Sequence, residues 1–238
     1  MSPEATAPDQ MEPPSPDELA AYTDGLVTAA GSTHGARTIH VHPVSNYSFG
    51  SKAARAEKDA TIAEAMLRHK ATYQKEGMRR TVEAILLVNQ RGHPHVLLLR
   101  TNTGQFKLPG GRLKQGEGEV TGLKRKLHNK LSPTELKMRQ KEWDVGECIA
   151  RWSRPSHEPN FYPYLPAHCT RPKESRSVYI SELPPKCVFA VPKNTKLLAV
   201  PLFELYGNEN KYGALIASVP HLISRYNLSL EEEEKPKE

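Results

Sequence analysis

Apolar and polar residues along this chain of 238 residues switch between a helical and an extended period. Over 58–76, Ile62, Met66, His69 and Tyr73 fall on one side, which predicts a helix. Arg80–Asn89 and His95–Arg100 are apolar, β-branched runs that predict two strands, joined by the turn Gln90-Arg-Gly-His-Pro94. Phe106–Pro109 predicts a short third strand. In 117–131, Val120, Leu123, Leu127 and Leu131 keep one helix face, and Pro133 ends it. Further strands are expected at 177–182, 187–191 and 196–205, and a closing helix over 215–225. Ile39–Phe49 reads as an extended arm with aromatic anchors. Strands interleaved with helices on both faces imply an α/β class, as a three-layer α/β/α sandwich.

The ends break this pattern. Residues 1–36 are rich in Pro, Ala and acids and read as disordered. Residues 231–238 read as an acidic, disordered tail. Between them the expected organisation is an N-terminal arm and helix packing on the core (37–79), a central domain (80–206), and a C-terminal loop and helix (207–230). No run of eighteen apolar residues occurs, so no membrane span is expected. The absence of an apolar signal segment predicts a cytosolic or nuclear protein. Cys148, Cys169 and Cys187 are odd in number and widely spaced, as free thiols would be.

Charge sharpens the picture. The formal net charge is +6, but residues 1–36 hold six acids and no bases, and 231–238 hold five Glu against two Lys. That leaves 37–230 at +15, which suits either a polyanionic partner or a lysine-rich solvated surface. Glu83 sits in an apolar strand, where a carboxylate must be partnered or face a cleft. Phe106, just before Gly110-Gly111, suits either the core or a base platform. His93 and His95 flank Pro94 and read as turn residues. No Walker loop, zincin motif or Ser-His-Asp pattern is present.

Gly110-Gly-Arg-Leu-Lys-Gln-Gly-Glu117 followed by Arg125–Lys130 resembles the Nudix box, the loop–helix element that holds magnesium for pyrophosphate hydrolysis. The family pattern places Glu after the Arg and two more Glu three and four residues on. Here those positions hold Lys126, Asn129 and Lys130. Residues at i, i+3 and i+4 share a helix face. Three carboxylates there attract a hard cation, whereas two ammonium groups and an amide do not. The face moves from about −3 to about +2, and each unit repulsion at close range is worth roughly 1–4 kcal/mol. Glu117 and Glu119 are expected to pair with Arg125 and Lys126. No catalytic residue, metal or cofactor is expected.

Longer blocks narrow the resemblance. Asn46–Lys52, Gly77–Glu83, Pro94–Leu99, Phe106–Gly111, Gly122–Arg125, Tyr162–His168, Phe189–Asn194 and Ala199–Tyr206 are similar to the small, Nudix-fold subunit family of pre-mRNA cleavage factor Im. The resemblance implies a Nudix-type sandwich with a mixed sheet and a nuclear, non-catalytic homodimer. It also implies binding of single-stranded RNA carrying UGUA and recruitment of a large subunit with an RNA-recognition motif. Residue by residue, it assigns RNA contacts to Glu57, Glu83, Phe106 and the pair Tyr212-Gly213. Gln105 replaces a family phenylalanine that stacks on a base, and Ala65 replaces a family arginine, with Arg68 one turn later. Tyr162, Tyr164 and Leu222 match positions that contact the large subunit. A lost stack costs roughly 1–3 kcal/mol, and a lost bidentate arginine about as much. Together they correspond to UGUA binding weakened on the order of 10²–10⁴-fold. Two rival expectations follow: a dimeric protein scaffold that has lost RNA reading, and a residual Nudix nucleotide hydrolase.

Overall fold

The structure is a computed structural model that describes residues 37–56, 61–135, 142–158 and 160–231. The expected disordered N-terminus, Glu57 and residues 232–238 lie outside it. In chain order come β1 (Thr38–Val41), a 3-10 turn (Val44–Asn46), β2 (Tyr47–Lys52), α1 (Ile62–Glu76), β3 (Arg79–Gln90) and β4 (His93–Thr101). Next are β5 (Phe106–Lys107), β6 (Gly110–Arg112), α2 (Glu119–Leu131), β7 (Asp144–Arg154), β8 (Glu174–Glu182), β9 (Cys187–Pro192) and β10 (Thr195–Pro201). Four short helices, α3 (Leu202–Leu205), α4 (Glu209–Tyr212), α5 (Ala214–Ala217) and α6 (Val219–Ile223), lead to β11 (Asn227–Leu230).

The central sheet is mixed. Its order is β10-β4-β3-β8-β7, with β5 on β4 and β6 on β3. β3 runs parallel to β8 and antiparallel to β4 and β6. Alternation along β3 and β4 feeds two cores. Ile85, Leu87, Val96 and Leu98 join Leu205, Tyr212, Ile216, Val219 and Ile223 of the C-terminal helices. Val82, Ala84, Leu86, Leu97 and Leu99 join Leu123, Leu127 and Leu131 of α2 on the other face. Each of those α2 leucines is fully buried and stabilises the fold by roughly 1.5–3 kcal/mol. Two parallel ladders, β1 with β11 and β2 with β9, cover the periphery.

Several elements differ from their sequence expectation for identifiable reasons. The β3–β4 turn needs only Arg91 and Gly92, at φ 55° and 75°, as in a type I′ hairpin. His93 and Pro94 are therefore strand residues, paired with Gln90 and Asn89. The strand expected over 196–205 ends at Pro201, where Leu202 and Leu205 turn inward at helical spacing and Phe203 and Tyr206 stay exposed. The closing helix starts after Gly213 (φ 83°), is split at Ser218 and ends at Ile223. β7 was not expected, because register shifts between Val145 and Cys148, and again before Ala150, break its alternation. Val120 is 41% exposed rather than part of the buried face of α2.

α1 is tied to the body by polar contacts. Thr61 caps it, accepting from Glu64 N at 3.2 Å. His69 Nε2 lies 2.6 Å from Arg79 Nη1, and the Tyr73 hydroxyl donates to Arg171 O at 3.4 Å. Met66 and the neighbouring Leu67 face outward. Glu231, expected as the start of a loose tail, is anchored: its carboxylate lies 2.6 Å from His42 Nδ1, and its carbonyl accepts from Asn89 Nδ2 at 2.8 Å. Cys148, Cys169 and Cys187 are free thiols.

Candidate nucleic-acid interface

Gly110 brings the box against the central strand. A β-carbon there would stand 2.1 Å from Val82 O and 2.6 Å from Glu83 Cα, so β6 approaches β3 this closely only with glycine. Gly110 is also the ladder partner of Glu83. On the far side, Gly122 lets α2 press on the loop after β6, since a β-carbon there would meet Leu113 Cδ2 at 2.1 Å. Two glycines thus join the box helix, the box loop and the strand that carries Glu83.

Four of the residues expected to contact RNA meet in one cleft of about 480 Å³: Glu83, Phe106, Tyr212 and Gly213. Phe106 is half-buried, with its ring centroid 4.7 Å from that of Tyr212 and the Arg100 guanidinium 5.7 Å from its own. The Tyr212 hydroxyl donates to Glu204 Oε1 at 2.5 Å, and Lys211 Nζ donates to the same oxygen at 2.8 Å. The aromatic pair is therefore braced from behind. Such a pair offers an aromatic edge and face to an unstacked base.

Glu83 is 7% exposed, and its Oε1 lies 3.5 Å from Arg176 Nη1. Burial pushes its carboxyl above the usual range, against the pull of Arg176 and Lys130. Lys130 is in turn pushed down to about 8, by burial first, with Glu83 opposing. Arg176 lies over the Phe161 ring at 4.2 Å. Its Nε is buried and meets no acceptor among the described residues.

The other expected residues fall elsewhere. Arg68 lines a second cleft, beside the box. Gln105 is exposed outside the first cleft, its carbonyl accepting from Thr101 N at 3.0 Å. Tyr162, assigned to partner binding, lines the first cleft as well. It sits 5.9 Å from Tyr164, which is 59% exposed beside Leu165 at 48%. Leu222 is half-buried against the C-terminal core. Sequence reading missed Lys107, Asn160, Phe161 and Arg176, all of which line the first cleft. Arg176 was hidden in the sequence, because only the parallel pairing of β3 with β8 places it near Glu83.

The box residues do not fit magnesium. Arg125 donates to Glu117 from Nε at 2.6 Å and from Nη2 at 2.5 Å, as expected. Glu119 meets Arg80 at 3.1 Å, Arg151 at 3.4 Å and the Tyr179 hydroxyl at 2.6 Å. Both carboxylates are thus engaged by donors, and α2 carries Lys126, Asn129 and Lys130 after Arg125. No group of three or more His, Cys, Asp or Glu suited to a metal exists among the described residues.

A family profile described as nucleotide hydrolase, of the Nudix type, matches residues 37–226. The chain is similar to pre-mRNA cleavage factor Im 25 kDa subunit 2 of Arabidopsis thaliana, with 50% identity over 194 residues, 82% of this chain and 96% of the relative. Cleavage and polyadenylation specificity factor subunit 5 of Dictyostelium discoideum is 48% identical over 181 residues, 76% of this chain and 90% of its own. Pre-mRNA cleavage factor Im 25 kDa subunit 1 of Arabidopsis thaliana is 45% identical over 194 residues, 82% of this chain and 87% of its own.

Proposed function

The chain belongs to the cleavage factor Im 25 kDa subunit family of Nudix-fold proteins, and from that premise we propose that it is a non-catalytic, RNA-binding scaffold subunit of pre-mRNA 3′-end cleavage and polyadenylation. It acts in the nucleus as a homodimer, holds single-stranded RNA of the UGUA type in the Glu83–Phe106–Tyr212 cleft, and recruits a large subunit carrying an RNA-recognition motif. The observation that carries this reading is the convergence of a buried carboxylate, two aromatic rings and Gly213 on one cleft. A carboxylate accepts from the imino and amino groups of G and U edges, and rings stack on unpaired bases. Tyr162, Tyr164 and Leu165 present an aromatic and apolar edge suited to a protein partner. Glu57 and Arg68 complete the proposed RNA contacts.

Hydrolysis is disfavoured by the same chemistry that spoils the metal site. A second reading, a dimeric scaffold without base discrimination, draws on Gln105, which stands exposed where the family stacks a phenylalanine. Titration of UGUA against UGUC RNA at fixed salt separates the two. Preferential binding of UGUA supports recognition, and equal affinities overturn it. Gln105→Phe with Ala65→Arg is expected to tighten UGUA binding at least tenfold. No gain would mean that the strand runs differently.

A further inference from the structure

We infer that Arg176 is a specificity-determining residue of the first cleft, where it stands as a donor beside the acceptor Glu83 and selects bases that carry an N–H next to a carbonyl. The inference rests on the reading of that cleft as an RNA site and names what this part of it recognises: guanine or uracil, against adenine and cytosine.

Strand register sets the pair. β3 runs parallel to β8, and Thr81 pairs with Arg176. Side chains two residues apart share a sheet face, so Glu83 points to the same side as Arg176. Arg79 and its ladder partner Glu174 lie on that face as well. Glu174 is buried and accepts from Thr81 Oγ1 at 2.9 Å and from Arg176 Nη2 at 3.3 Å, with Arg154 Nη2 at 3.0 Å. It therefore anchors one edge of the Arg176 guanidinium, and the Phe161 ring, 4.2 Å away, supports the face. Nη1 is left 3.5 Å from Glu83 Oε1, longer than a charge-assisted hydrogen bond. Both residues line the cleft, and the Arg176 side chain is 25% exposed. A fork fixed in this way loses little side-chain freedom on meeting a base.

The chemistry follows from what each group offers. An ionised carboxylate only accepts, and a guanidinium only donates. Guanine presents N1–H beside O6, and uracil presents N3–H beside O4. Each gives Glu83 a donor and Arg176 an acceptor. Adenine and cytosine present the reverse, an unprotonated ring nitrogen beside an amino group. Against this pair they set a lone pair on the carboxylate and an N–H on the guanidinium, and both stay unsatisfied. A carboxylate alone accepts from the amino group of cytosine too, so Glu83 by itself does not make the distinction and Arg176 supplies it.

Titration of UGUA, CGUA, UAUA and UGCA RNA at fixed salt, with wild type, Arg176→Met and Arg176→Lys, tests this. Wild type is expected to disfavour the amino base at least tenfold at one of the three positions. Arg176→Met should lose the discrimination there and keep it at the others, and Arg176→Lys, which retains a donor and the charge, should restore part of it. Thiocarbonyl bases provide a second measurement, because sulfur is a poor acceptor. With 4-thiouridine or 6-thioguanosine at that position, wild-type affinity should fall and Arg176→Met should not respond. If Arg176→Met does not fold, the same comparison is made with Arg176→Lys, whose response should be smaller than that of wild type. Equal weakening of all four RNAs by the substitution marks a phosphate contact and overturns the inference. So does a wild type that ignores all three changes, or an Arg176→Met that discriminates as wild type does. Equal affinity for UGUA and UGUC concerns the fourth base and counts only against the family reading. A preference for UGUA over UGUC with no role for Arg176 sinks this inference alone.

Discussion

Arg125 holds Glu117 at both carboxylate oxygens, and Lys114 N donates to Oε2 at 2.8 Å as a third contact. The one box carboxylate left in its family position is therefore committed to the fold. Here it fastens the box loop to α2.

Magnesium should consequently leave stability unchanged. A ligand that binds only the folded state raises its stability in proportion to occupancy. The thermal midpoint in EDTA and in millimolar magnesium is expected to agree within about 1 °C. A midpoint that climbs with magnesium would show a competent metal site.

Acid should release the Glu117 contact. Its pKa is held down to about 2, first by hydrogen bonds from Arg125. With a folded pKa below the unfolded one, its stabilisation is complete above the ordinary carboxylate range. It is lost as pH falls from there toward 2. Urea midpoints for Glu117→Gln should lie below wild type at pH 7 and approach it at pH 2–3.

Gly110→Ala should separate β6 from β3. The added methyl overlaps Val82 O and Glu83 Cα at a position with φ 153°. Overpacking and backbone strain of this kind cost about 3 kcal/mol, readable as a lower urea midpoint. RNA affinity should fall with it, because the same contact positions Glu83.

Phe106→Leu distinguishes a base platform from a core residue. Leucine keeps most of the apolar contact with Tyr212, so stability should fall by less than about 1.5 kcal/mol. The stack is lost, so UGUA affinity should drop by roughly 1–3 kcal/mol, about 5- to 150-fold. A stability loss without an affinity loss would assign Phe106 to the core alone.

Lowering the pH should weaken RNA binding through Glu83. Burial raises its pKa, and a protonated carboxyl loses acceptors that G and U require. Affinity for UGUA is expected to begin falling above the ordinary carboxylate range in wild type and to flatten in Glu83→Gln. Arg176, Lys130, Lys107 and Glu174 surround this group, so Arg176→Gln should shift the midpoint upward.

Much of the architecture was legible because burial follows period. The apolar run Ala84–Val88 of β3 and the Leu123–Leu127–Leu131 stripe are buried as read. Bulged β7 was illegible because its alternation slips twice, and the C-terminal helices were blurred because Gly213 and Ser218 cut a continuous apolar run. At the site, Glu83 stood out as a charge in an apolar strand. Arg176 and Phe161 did not, since their importance comes from strand pairing and from the cation–π contact between them. The pairing of Glu119 with Arg80 and Tyr179 was hidden for the same reason: its partners lie on β3 and β8, distant in sequence.

The most direct measurement is a crystal structure of the chain grown with UGUA RNA and magnesium. The account predicts a base against Phe106 and Tyr212, a base edge hydrogen-bonded to Glu83, and no cation beside Asn129. A magnesium ion held there with a hydrolysed nucleotide, or RNA bound away from this cleft, would contradict it.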